Sequence, residues 1–205
     1  MYFYDVLLFQ TRQVHKSVQA WMSSRIFNPL TYSPENSIVK YPRAEKISER
    51  LEKAVNMNVT NQYSSEQYQI TSYGLGGLCE DHNDPYGYNE GVELNEANKE
   101  LANTGDIFGT VMGWLSDTPA GGATSFFLGD DQITIWPTKG AAGFWFGLSS
   151  DGKRDSSVVH GGCPVLVGSK WIMNKWVKSF NQWDRYPCNR EQFVRIKPWE
   201  DERYL

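Results

Sequence analysis

From residue 66 onward the chain is a run of short apolar stretches cut at close intervals by glycine-rich turns, and no other feature narrows the fold as much. The stretch 66–75, EQYQITSYGL, alternates with period two and reads as a strand. Further strands are expected at 107–116, 123–128, 132–136, 142–148, 157–167 and 170–177. The breaks between them are Asp117 to Gly122, Gly129 to Asp131, Pro137 to Gly140, Gly161-Gly162 and Gly168-Ser169, all rich in turn formers. Many short strands with one helical segment in front predict a mainly β chain with supporting α structure, folded as a double-stranded β-helix, or jelly roll. Such a fold holds a small ligand or a metal in the open end between its two sheets.

The helical segment is 43–57, RAEKISERLEKAVNM. Ile47, Leu51, Ala54 and Val55 recur at helical spacing with charges on the other face, and Glu49 and Lys53 form an i, i+4 pair. Its expected task is to buttress a sheet. The 205 residues suffice for one sizeable core. The division expected is an N-terminal support segment at 1–65, the jelly roll at 66–188 and a tail at 189–205. Residues 11–42 are of mixed character, with FNPLTYSPENS as a loop, and 85–104 read as a polar excursion. The first ten residues are apolar but lack a basic flank and a cleavage site, so they read as a strand or a frayed start and not as a signal peptide.

Charge and hydropathy exclude some classes. The net charge is −4 with no basic block, so a nucleic-acid partner is not expected. No apolar run approaches the roughly 20 residues of a membrane helix. Three cysteines, Cys79, Cys163 and Cys188, would leave one unpaired in an oxidising compartment. One sequon occurs, Asn58-Val59-Thr60.

The chemistry-bearing residues are few. Of three histidines, His15 lies outside any cluster, whereas His82 stands two residues before Asp84. Pro85 restricts Asp84 to extended geometry, and in an extended segment i and i+2 share a face. With His160, the set matches the two-histidine, one-carboxylate facial triad of non-haem Fe(II) oxygenases. Lys170 lies in a β-rich apolar run, where a buried ammonium needs an anion; the far carboxylate of a metal-bound 2-oxo acid would supply one. Gly74, Gly76 and Gly77 precede no helix and no lysine, so they read as a strand bend rather than a phosphate loop.

Four segments carry a family resemblance: GLGGLCEDHND, LSDTPAGGATSFF, WPTKGAAGFWF and HGGCPVLVGSKWIMNKW. Together they resemble the catalytic region of the collagen-type prolyl 4-hydroxylase α subunit, from about Tyr68 to Cys188. The resemblance implies a dioxygenase dependent on Fe(II) and 2-oxoglutarate, with ascorbate to rescue oxidised iron. It implies His82, Asp84 and His160 as iron ligands, Lys170 on the distal carboxylate of 2-oxoglutarate, and Tyr73 bonded to the same cosubstrate. Trp176 matches a residue of the proline pocket, and Cys163 and Cys188 match a disulfide pair. The substrate implied is a proline-rich or collagen-like polypeptide hydroxylated at C4 of proline, in the lumen of the endoplasmic reticulum. Whether protein disulfide isomerase is a partner, as in related tetramers, is left open.

Three positions depart from the family. Asn83 replaces an aromatic residue, Cys79 a pocket tyrosine, and Ile107 stands nearest in register to a missing arginine. The cosubstrate groups are thus kept while the proline-pocket groups are altered. This leaves an alternative, a non-catalytic paralogue or fragment acting as a binding subunit. A jelly-roll sugar-binding module is disfavoured, because it has no use for the four cosubstrate residues.

Overall fold

The structure is a computed structural model that describes residues 17–22, 25–27, 38–40, 42–61, 63–87, 101, 103–128 and 131–187. The elements in order are β1 (Ser17–Met22), β2 (Arg25–Phe27), β3 (Ile38–Lys40), α1 (Pro42–Val55), β4 (Tyr68–Tyr73), β5 (Cys79–His82) and β6 (Ile107–Trp114). There follow β7 (Ala120–Gly121), β8 (Thr124–Leu128), β9 (Asp131–Ile135), β10 (Ala142–Phe146), a 3-10 turn (Ser156–Val158), β11 (His160–Gly162), β12 (Val165–Val167) and β13 (Lys170–Lys178).

The expected jelly roll is present. One sheet runs β1-β4-β13-β6-β10 and faces a second, β5-β11-β8-β9. All pairings are antiparallel. Strand β1 falls in a region the residue pattern leaves undefined, and it pairs with β4 at the edge of the larger sheet. The expected strand 157–167 breaks into the 3-10 turn, β11 and β12. Pro164 lies between the last two strands and cannot donate to a ladder.

The cores lie on opposite faces of the larger sheet. One, between the sheets, holds Tyr73, Met112, Trp114, Phe126, Trp145, Val165 and Ile172. The other, under α1, holds Met57, Val59, Phe108, Phe146, Leu148, Val177 and Tyr186. Strand β6 is buried along its whole length because it feeds both. Its phase inverts at a bulge, where Val177 pairs with Gly109 but Lys178 pairs with Ile107. The extra residue turns Phe108 toward the helix and Ile107 toward the cleft, while Thr110 and Met112 keep the inner face.

Helix α1 ends at Asn56, whose φ of 51° is a left-handed cap. Its buried stripe is Ala44 and Ser48, continued by half-buried Leu51 and Val55; Ile47 and Ala54 face water, contrary to the apolar face expected. Ser48 belongs to the stripe because its hydroxyl bonds the Ala44 carbonyl at 3.0 Å and the Tyr68 hydroxyl at 2.8 Å. After β13 the chain returns over the helix. Gln182 exchanges hydrogen bonds with the Asn58 backbone, and the Tyr186 hydroxyl donates to the Val55 carbonyl at 2.9 Å.

Candidate metal centre

The turn Gly74–Gly77 carries the chain from β4 in one sheet to β5 in the other. It closes with Gly77 N donating to Gly74 O at 2.8 Å, and Gly76 takes a φ of 72°. This is the bend expected of those glycines. Strand β5 then runs beside β11 so closely that a Cβ at Gly161 would stand 2.3 Å from Asp81 Oδ1 and 3.2 Å from the Cys79 carbonyl oxygen. A side chain at 161 would have to turn the exposed Asp81 carboxylate aside and would press on the β5 backbone. The result of this approach is that His82 and His160 become direct cross-strand partners with ring centroids 4.4 Å apart.

Asp84 completes the group. Its Oδ1 lies 3.8 Å from His82 Nε2 and its Oδ2 lies 3.7 Å from His160 Nε2. The three ligand atoms all lie within 4.8 Å of one another. Each imidazole is turned by a backbone carbonyl: His82 Nδ1 meets Glu80 O at 2.7 Å and His160 Nδ1 meets Val158 O at 2.9 Å. A proton held on Nδ1 by a carbonyl leaves Nε2 with its lone pair free for a metal. Phe126 stacks on His160 and Trp145 meets it edge-on, fixing the ring plane.

The carboxylate is held from behind by one row of the larger sheet. Thr110 is the cross-strand partner of both Trp176 and Trp145. Thr110 Oγ1 and Trp145 Nε1 donate to Asp84 Oδ2 at 2.8 and 3.0 Å, and Trp176 Nε1 donates to Oδ1 at 3.2 Å. Trp176 therefore lines the cleft, as expected of a pocket residue, and also orients the carboxylate. Thr110 and Trp145 escape sequence reasoning. Period two shows that such residues share a face with their i+2 neighbours, but not which face or which row.

The surroundings shift the two rings in opposite directions. Burial opposes a charge on His82, yet Cys79, the Glu80 carbonyl and Asp84 outweigh it and raise the ring to about 9. Burial leads in holding His160 below the usual histidine range, with His82 adding to it and Asp84 opposing.

Lys170 opens β13 on the same inner face, in line with Ile172, Asn174 and Trp176. It is 3% exposed, and its Nζ lies 3.3 Å from Thr124 Oγ1 and 5.5 Å from the Tyr73 ring centre. Burial pushes it down to about 8, against the pull of Cys163 and Cys79. Tyr73 is its cross-strand partner, and burial raises that hydroxyl. A cleft of about 600 Å³ joins all these residues, its wall running from Lys170, Tyr73 and Thr124 past the triad to Trp176, Ile107 and Glu66. Cys79 and Asn83 line it as well.

The donor set suits a ferrous ion: two imidazoles and a carboxylate on one side, with the cleft open on the other, and a cation bound there would displace the proton that the metal-free site favours on His82. A buried ammonium with one hydroxyl partner suits a dicarboxylate. Cys163 Sγ lies 3.4 Å from Ser125 Oγ and has no disulfide partner among the described residues; its expected partner, Cys188, lies outside them. His15 and the first ten residues also lie outside them.

Comparison with known proteins agrees with this geometry. No family model matches the chain. Human prolyl 4-hydroxylase subunit alpha-1 is 38% identical over 147 residues, covering 72% of this chain and 26% of the relative. Subunit alpha-2 of Caenorhabditis elegans is 38% identical over 155 residues, or 75% of this chain and 27% of the relative. The chain thus spans about a quarter of the length of these curated relatives. The crystal structure of a viral collagen prolyl hydroxylase from Paramecium bursaria Chlorella virus-1, in its 2OG complex, aligns with a TM-score of 0.58 at 21% identity, covering 81% of each chain. The fold is that of the viral hydroxylase, and the ligand group is the two-histidine, one-carboxylate set of the non-haem Fe(II) oxygenase class. Within that class the chain is a relative of the prolyl 4-hydroxylase α subunits.

Proposed function

We propose that this chain is the catalytic region of a dioxygenase that hydroxylates peptidyl proline at C4 in collagen-like or proline-rich polypeptides. The observation that carries the reading is the convergence of the His82–Asp84 pair with His160 and Lys170, remote from it in sequence, on one cleft. Bound Fe(II) and 2-oxoglutarate would supply the oxidising chemistry: one oxygen atom of O₂ goes into the proline C–H bond, the other into succinate, and CO₂ leaves. Ascorbate would return oxidised iron to the ferrous state.

The protein's part is to hold and exclude. His82, Asp84 and His160 would hold the metal, and the row Trp176–Thr110–Trp145 keeps the carboxylate plane fixed. Lys170 would hold the distal carboxylate, with Tyr73 donating to it. Pairing with an anion relieves the cost of burying that ammonium. Phe126, Trp145 and Ile172 keep water from the inner end. Trp176 with Ile107 offers an apolar wall for a pyrrolidine ring.

The same reading includes a bridge between Cys163 and Cys188, an endoplasmic reticulum location, and protein disulfide isomerase as a candidate partner. A second reading, a non-catalytic binding subunit, is favoured only by the cleft-lining changes Cys79, Asn83 and Ile107. Incubation with Fe(II), ascorbate and carboxyl-labelled 2-oxoglutarate separates the two. Release of CO₂ coupled to a gain of one oxygen on a proline-rich peptide is expected. No CO₂ with or without peptide would leave the binding subunit, and CO₂ without peptide oxidation would point to another substrate.

A further inference from the structure

We propose that Gly147, Pro85 and Asp106 form a seat that fixes the position of Asp84, which makes Gly147 and Asp106 positioning residues of the metal centre. The inference rests on the metal-centre reading above. Pro85 follows Asp84 directly and is buried. Its ring lies over Gly147, where a Cβ would stand 2.6 Å from Pro85 Cγ, 2.9 Å from Pro85 Cδ and 3.2 Å from the Ile107 carbonyl oxygen. Gly147 cannot yield, because its N–H donates to Phe108 O and its carbonyl accepts from Asp155 N, both at 2.9 Å. A proline ring has no rotamer to turn away. A side chain at 147 would therefore displace the ring, and Asp84 with it.

The other side of the seat is Asp106. Its carboxylate accepts from Tyr86 N at 2.9 Å, Gly87 N at 2.7 Å and Ile107 N at 2.7 Å. The two residues after Pro85 are thus tied to the start of β6, the strand that also supplies Thr110. Gly87 has a φ of 75°, and a Cβ there would meet the Arg154 guanidinium at 2.2 Å. The segment after the carboxylate ligand is clamped from three directions. Metal ligands tolerate displacements of only about 0.2 Å, so a shift of the ring is felt at the ion.

Co(II) titration of the full chain, read by its visible absorption, tests the seat without turnover. Gly147→Ala should weaken Co(II) binding about tenfold or more and change the absorption bands, in the range found for disturbed ligand supports. Pro85→Ala alone, which loosens the seat without pushing Asp84 aside, should weaken binding less than Gly147→Ala does. Adding Pro85→Ala to Gly147→Ala should recover most of the loss, the Ile107 carbonyl contact keeping the recovery incomplete. A purely structural defect would lower the melting temperature of every variant and leave the bands unchanged. Wild-type affinity and bands in Gly147→Ala, or no recovery in the double variant, would overturn the seat. Should Gly147→Ala not fold, Asp106→Asn replaces it, with a severalfold weakening expected and unchanged binding overturning the proposal. Wild-type protein that takes up no Co(II) would instead overturn the metal reading, and the seat's role with it.

Discussion

The indole N–H of Trp176 donates to Asp84 Oδ1 at 3.2 Å, across 92 residues of chain. A residue at the cleft wall thereby controls the plane of the carboxylate meant for the metal. Trp176→Phe keeps the ring and removes the donor. Affinity for Fe(II) or Co(II) should fall about tenfold, the lower end of the range for lost outer-shell partners. Unchanged metal affinity in a titration would reduce Trp176 to a wall of the pocket.

Metal uptake should be visible as stability. A ligand at 100 times its dissociation constant adds about 2.7 kcal/mol to the folded state. Adding Fe(II) without oxygen to chelator-treated protein should raise the melting temperature by several degrees. His160→Ala should abolish both that rise and CO₂ release. A wild-type-like shift in His160→Ala would place the ion elsewhere.

Lys170 is held at about 8 by burial, so it is charged at neutral pH and loses its proton just above. An anion that needs the ammonium should bind with constant affinity below pH 8 and ever more weakly above it. Binding of 2-oxoglutarate, followed by calorimetry from pH 7 to pH 9, should show that fall, and Lys170→Met should remove it along with most of the affinity. A pH-independent affinity in the wild type would break the pairing.

Lys175 sits on the opposite face of β13, under α1, where its ammonium donates to the Glu66 carbonyl and lies 4.6 Å from the Tyr68 ring centre. Burial lowers it to about 8 as well, with Glu66 opposing. Both lysines titrate near 10.5 when unfolded. Between about pH 8 and 10.5 the unfolded chain binds more protons, so these groups make stability rise with pH there, by up to about 1.4 kcal/mol per unit for each. Lys175→Met should raise the urea midpoint at pH 7.5 and flatten that slope. A lower midpoint would mean that the Glu66 and Tyr68 contacts outweigh the cost of burial.

Much of this was legible from residue order. Strands β4, β6, β8, β9, β10 and β13 followed from alternation and glycine breaks, and α1 from its periodicity, to within two residues at either end; β1, β5 and β7 did not, and the run 157–167 formed three pieces. The ligand pair His82 and Asp84 could be read from i, i+2 spacing in an extended segment. The buried face of α1 was misread at Ile47 and Ala54, because a Ser48–Tyr68 hydrogen bond draws a polar residue inward. Pairing with the remote Tyr68 leaves no mark in the helix's own pattern.

Donor identity and side-chain alternation are local properties, so the chain's order alone determined which residues could ligate a metal and which runs would be strands. The meeting of those residues is not local. Register between β13, β6 and β10 puts Trp176, Thr110 and Trp145 in one row, and the bulge beside Lys178 inverts the phase so that Ile107 faces the cleft. Backbone hydrogen bonds between distant segments set both, and a slip of one residue would turn each side chain to the other face.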